Sequence, residues 1–335
     1  MESIFKISKD KSTLIKGIVI LMMINLHLFD KNNTDLCTNL LYIGDEPFAK
    51  WLTHACGPVW FFVLLSGYGL AYTYEKGGLG FVKQLKRVFK LYLHYWIILA
   101  VFLSIGSFLY ADRFPGTWER LFVNVTGWET NYNYEMWFLF PYSLIALSSK
   151  YIIQAIEKAG YLIAIIITII ITLGASYVIS RYHATILNDS QLLNWIMVYL
   201  QFLYPFTVGV AFCLAKWNSD LHIPTWVHIM VMIIAIIVVS SFSFPGSYII
   251  YVPLMVFLFN QLSYPKWIER ILIELGKKSM PMWMIHTWFC YYLFRDQVYS
   301  LKYPVLIWVF LVLISYLLAI PFMWVTKKVL AFTKM

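Results

Sequence analysis

Charge is scarce in this sequence. Asp, Glu, Lys and Arg make up 13% of its 335 residues, where a soluble domain carries about 25%. Hydrophobic residues account for 61% and the mean hydropathy is +0.70, which excludes an ordinary soluble enzyme and leaves a polytopic membrane protein. Long polar stretches are missing too. The longest run to about 20 residues, so a separate soluble domain has no room, and a single membrane-embedded domain is expected over residues 1–335. Cysteine is sparse: Cys37, Cys56, Cys213 and Cys290 show no CxxC or other ligand spacing, which argues against zinc or iron–sulfur sites. No metal is expected. Cys37 and Cys56 fall near the same end of the bundle, where a disulfide is one reading and two free thiols the favoured one. GxSxG, HExxH and the P-loop are absent. No repeat, low-complexity tract or inverted pair of broken helices of the transporter kind is visible. The first apolar run lacks a small-residue cleavage site and is expected to remain as a helix.

What is present is a series of ten apolar segments, near residues 14–29, 56–74, 91–110, 134–149, 160–180, 195–215, 224–242, 247–262, 279–294 and 304–326. The expected fold is an all-α polytopic membrane protein of about ten transmembrane helices. The fourth and ninth segments are short, which suits helices facing a protein interior. FPG at 244–246 reads as a tight turn. The net charge is +9. In a membrane protein this reflects cytoplasmic loops rather than a nucleic-acid partner. With the N-terminus inside, 19 of the 26 Lys and Arg fall on inner segments, which places both termini in the cytoplasm. Membrane lipids are expected partners, nucleic acid is not.

Few positions can carry chemistry. In KGIVILMMINLH (residues 16–27), Lys16, Ile20, Met23 and His27 share one helical face, with a rise of about 16 Å from cation to imidazole. His27 is a candidate base; it is equally readable as an interfacial histidine bonded to a carbonyl. His286, in SMPMWMIHTWF, lies on the face of Ser279, with Pro281 expected in the first turn. It reads as a polar contact between packed helices or as a site residue. His94 reads as interfacial, and His54, His183, His222 and His228 are assigned nothing. Lys76, Lys83, Lys86, Arg87 and Lys90, against the single acid Glu75, form a basic loop after the second segment, with Lys83, Arg87 and Lys90 on one face. Lipid headgroups account for such a loop; a phosphorylated cosubstrate is the sharper reading. Glu135, in NYEMWFL, is favoured at a helix start by the dipole, and is also a candidate partner of His27 or of an acceptor hydroxyl. Gly67 and Gly69 are expected to permit close helix approach.

Four stretches together resemble the acyltransferase-3 family of integral membrane acyltransferases: KGIVILMMINLH, WFFVLLSGYGL, LKRVFKLY and LGKKSMPMWMIHTWF, with MWFL also fitting. Their order matches over nearly the whole chain. Lys16 and Lys90 stand where arginine is usual; they keep the charge but lose the bidentate fork. No appended hydrolase-like domain is expected after the last segment. The resemblance implies transfer of an acyl group, usually acetyl from acetyl-CoA as cytoplasmic cosubstrate, to a hydroxyl of an extracytoplasmic carbohydrate (a capsular, wall or lipid-linked glycan). It implies a multi-pass protein of the bacterial cytoplasmic membrane. The mechanism expected from it has His27 as general base, with a covalent acyl-histidine as the alternative route, Glu135 holding the His27 tautomer, and His286 lining the channel or polarising the carbonyl. Lys16, Lys86, Arg87 and Lys90 bind the donor's phosphates. The rival class is a transporter or flippase of a glycan or lipid-linked precursor, and a second rival is a sensor or accessory membrane domain with a degenerate site.

Overall fold

The computed structural model describes residues 5–215, 217, 223–242 and 246–332. Lys216, His222, Lys334 and the first two residues of the FPG turn lie outside the described residues. The helices are α1 (Lys9–Phe29), α2 (Phe48–Thr53), α3 (Pro58–Glu75), α4 (Phe81–Leu109), α5 (Trp118–Thr126), α6 (Leu139–Ala159), α7 (Tyr161–Tyr182), α8 (Gln191–Leu214), α9 (Thr225–Ser241), α10 (Ser247–Gln261), α11 (Lys266–Thr287), α12 (Arg295–Tyr299) and α13 (Pro304–Phe332). Among the described residues, strand is limited to one hairpin, Tyr42–Ile43 with Glu46–Pro47, in the link between α1 and α2. The protein is thus all-α. Seven helical segments are long and apolar enough to cross a membrane, and α9 and α10 are apolar but shorter.

All ten expected segments are helical, with three large shifts of boundary. Most of the basic loop is the opening of α4: no Gly or Pro occurs in that helix before Gly106, near its far end, and Lys, Arg and Leu are good helix formers. The helix bearing His286 begins at Lys266 rather than near 279. Its first half is polar and is supported by Glu274, whose carboxylate meets Lys277 at 2.6 Å and Lys278 at 2.8 Å. Pro281 therefore lies inside α11 rather than in its first turn, and the ninth segment is not short. Nor is the fourth: a 3₁₀ turn (Tyr134–Met136) precedes α6, which continues to Ala159.

Burial separates inner from outer helices. In the apolar stretches of the segments containing α3 and α8, 67% and 61% of residues are buried, against 22% and 28% for those of α7 and α13. The outer pair faces lipid and α3 and α8 are interior; α1 and α11 pack against each other. Glycine sets how closely these meet. A Cβ on Gly17 would fall 2.0 Å from the Leu272 carbonyl oxygen, and one on Gly276 would fall 1.8 Å from that of Thr13. The backbones of α1 and α11 are therefore in contact. Gly209 and Gly67 do the same for α3 and α8, at 2.0 Å from Leu64 O and 2.3 Å from Phe206 O. Gly69 has nothing within 4 Å, so it does not share the expected role.

The contrast is testable. Gly276→Ala should lower the thermal midpoint of the purified protein by several degrees, since a methyl forced into backbone contact costs about 1–3 kcal/mol. Gly69→Ala should leave it unchanged or raise it. Equal shifts in the two variants would contradict the packing described here.

Candidate active site

α1 and α11 run parallel from their crossing at Gly17 and Gly276, and each reaches a histidine after the same interval. His27 and His286 meet there, with His27 Nδ1 2.7 Å from His286 Nε2 and the rings nearly parallel at 14°. His27 Nε2 faces Glu135 Oε2 at 3.3 Å. Three residues far apart in the chain thus form one line.

The hydrogens along that line follow from its buried end. His286 is 0% exposed, and its Nδ1 lies 3.1 Å from Met282 O and 2.9 Å from Trp283 O. Carbonyls only accept, so Nδ1 carries the hydrogen. In the neutral ring Nε2 is then an acceptor, and His27 Nδ1 must donate to it. This leaves the lone pair of His27 on Nε2, opposite a carboxylate. Two acceptors at that distance repel unless a proton lies between them. The geometry therefore builds a place for a proton beside His27 Nε2, stabilised once it arrives by Glu135.

Glu135 is held by the same helix that carries His286. Trp283 Nε1 donates to the Glu135 carbonyl (3.1 Å), and Thr287 Oγ1 donates to Asn133 Oδ1 (3.0 Å). The Tyr134 N–H donates to Tyr292 Oη at 2.8 Å, in a π-turn that follows α11 (Trp288–Tyr292). The end of α1 is tied down by Tyr299, whose hydroxyl donates to Leu28 O. Trp283, Thr287 and Asn133 have no motif of their own; the only hint in the sequence is their closeness to His286 and Glu135.

Beside the line lies a cavity of about 400 Å³, lined by His27 and Glu135 but not by His286. The structure thus puts His286 behind His27 rather than in the cavity wall. Aromatic faces from Trp60, Trp137, Tyr248 and Tyr291 surround it, and Asp30 and Gln201 add polar groups. At the other end its lining reaches Met23. Ile20 and Met23 are 0% and 3% exposed, so the face of α1 between Lys16 and His27 is packed.

Lys16 is half-buried two turns below Met23, and the Arg87 guanidinium is close enough for the two like charges to act on each other. Lys83, Lys86, Arg87 and Lys90 are all exposed. At 100° per residue they fall within an arc of about 100° on the first turns of α4. His94, expected at an interface, is buried with Nδ1 2.9 Å from Lys90 O. The Cys37 and Cys56 thiols are both free.

Comparison with curated proteins and with solved structures gives no match. A family model described as an acyltransferase domain matches residues 11–325. That span contains both histidines, Glu135 and the cationic cluster, and it covers nearly the whole chain. The chain belongs to the acyltransferase-3 family of membrane acyltransferases.

Proposed function

We propose that this acyltransferase moves an acetyl group from cytoplasmic acetyl-CoA to a hydroxyl of a glycan on the outer side of a bacterial cytoplasmic membrane. The observation that carries the reading is the lone pair of His27 Nε2, fixed by His286 and opening on a cavity with aromatic walls and carboxylates. Flat aromatic faces suit the C–H faces of a sugar ring, and Asp30, Glu135 and Gln201 suit its hydroxyls. The distribution of Lys and Arg supports ten spans with both termini inside. Lys16 and the α4 cations then face the cytoplasm, where a phosphorylated donor arrives.

The reaction uses three of these groups in different ways. His27 Nε2 takes the proton from the acceptor hydroxyl as its oxygen attacks the thioester carbonyl. Glu135 stabilises the imidazolium that forms. His286 positions the ring and keeps the lone pair on Nε2. Collapse of the tetrahedral intermediate breaks the C–S bond, and the CoA thiolate takes the proton from His27 Nε2, leaving the acetyl ester and free CoA. Lys16 and Arg87, with Lys86 and Lys90 beside them, hold the donor's phosphates. The thin pantetheine arm crosses the packed stretch at Ile20 and Met23, where the unbranched Met23 side chain can shift aside.

Three measurements test this. His27→Ala should lower transfer of radiolabelled acetyl from acetyl-CoA by about 10²–10⁴-fold while the protein stays monodisperse; wild-type transfer would sink the assignment. Arg87→Ala should raise the KM for acetyl-CoA about tenfold or more, as loss of a charge-assisted bond does, with kcat little changed. An unaltered KM removes the phosphate role. Thr287→Val should lower kcat about tenfold without changing the donor KM, because it loosens the turn that aims Glu135, and Thr287→Ser should restore it. A loss that Thr287→Ser fails to restore would mark Thr287 as a packing residue only.

A further inference from the structure

A second and larger cavity, about 780 Å³, lies on the opposite side of α1, and no charged side chain lines it. α1 is the partition. Ile18, Leu21, Met22, Asn25 and Phe29 face this groove, whereas Met23, Leu26, His27 and Asp30 face the active-site cavity. At 100° per residue the two sets are arcs centred about 130° apart. The spaces meet at Cys56, which lines both; Asn25 Nδ2 stands 3.9 Å from its Sγ.

The dimensions of the groove suit one kind of occupant. The rise from Ile18 to Phe29 is about 16 Å, close to one leaflet of a hydrocarbon core about 30 Å thick. Its edges are exposed and apolar: Leu40 and Leu41 on the α1–α2 link are 74% and 67% exposed, Val305 and Leu306 on α13 71% and 52%. A chain can therefore slide in sideways from the bilayer. At the His27 end Asn39 also lines the groove, with its Oδ1 buried and without a partner among the described residues. That oxygen can accept a hydrogen bond from a headgroup. A donor acyl group comes from the Lys16 end, past Met23, on the other face of α1.

We propose that the groove holds the hydrocarbon chain of a lipid carrier to which the acceptor saccharide is attached. The chain lies along α1, the head emerges beside Asn25 and Cys56, and the sugar turns into the cavity at His27. The acceptor class is then a lipid-linked saccharide. This rests on the acyl-transfer reading above, and its test includes a readout that does not depend on transfer.

The experiment uses the full-length protein in lipid nanodiscs with two glycosides of one sugar, one with a methyl and one with a hexadecyl aglycone bearing a photoreactive chain end. Ala49→Trp and Ile236→Trp each place an indole at the groove wall, away from the residues that handle the acyl group. Peptide mapping after illumination should find the label on α1 and α9 in the wild type, reduced at least fivefold in both variants. In transfer assays both variants should raise the KM of the hexadecyl glycoside about tenfold and leave the methyl glycoside and acetyl-CoA unchanged. Label confined to α1 and α9 without acetyl transfer would uphold the groove and refute the proposed reaction. Label scattered over the lipid-facing sides of α7 and α13, or equal losses with both glycosides, would overturn the groove assignment. So would a preference for long-chain acyl-CoA donors that either variant abolishes, since it would give the groove to the donor.

Discussion

The contact of two backbones at Gly17 and Gly276 determines the geometry of everything above it. Side chains of any size at these positions would push α1 and α11 apart, because each missing Cβ would fall about 2 Å from a carbonyl of the other helix. In a membrane such contact is a main source of helix association, since lipid removes the hydrophobic drive between helices. It also sets a register. From the crossing, both helices climb the same number of residues to a histidine. A slip of one residue would turn one ring about 100° away from the other, and the 2.7 Å contact between them would be lost.

From that register the protonation pattern follows without any further device. The carbonyls of Met282 and Trp283 are free to meet His286 Nδ1 because a ring on α11 can turn back along its own helix. They determine its tautomer, it determines that of His27, and the lone pair ends where the cavity begins. A polar line of this kind is costly at bilayer depth unless every member is bonded. Here its inner end is closed by backbone carbonyls, and its outer end is closed by Glu135, which α11 and its π-turn hold in place, once a proton reaches His27 Nε2. One helix thus supplies a histidine, the turn that aims the carboxylate, and the glycine that brings α1 alongside.

Much of this was legible in the sequence, but unevenly. Hydropathy located all ten helical segments, because apolar runs of that length have few alternatives in a membrane. Boundaries failed where charged residues are also good helix formers, as at the start of α4 and in the first half of α11. His27, His286 and Glu135 could be picked out as rare ionisable groups within apolar runs. Their order could not, because it depends on a contact between helices some 260 residues apart, and this is why His286 sits behind His27 rather than in the cavity wall. The pairing of Gly67 and not Gly69 with α8 was likewise invisible: both lie in one apolar run, and only the neighbour's position distinguishes them. The groove left no motif at all, since its lining is mostly ordinary apolar residues from five helices and the links beside them.

The packed stretch between Lys16 and His27 has its own physical logic. On the proposed reading, cosubstrates on opposite sides of a membrane must meet at one imidazole. A permanently open water-filled passage would join the two aqueous phases and leak ions. Ile20 and Met23, almost wholly buried, fill the stretch between Lys16 and His27 with apolar side chains. On the same reading, a thin, largely uncharged arm displaces the methionine at modest cost, while the charged part of the donor would stay with Lys16 and Arg87. On that reading the spacing of cation, plug and base along one face of α1 works as a sorting device: it would admit the reacting end of a donor and retain its phosphates.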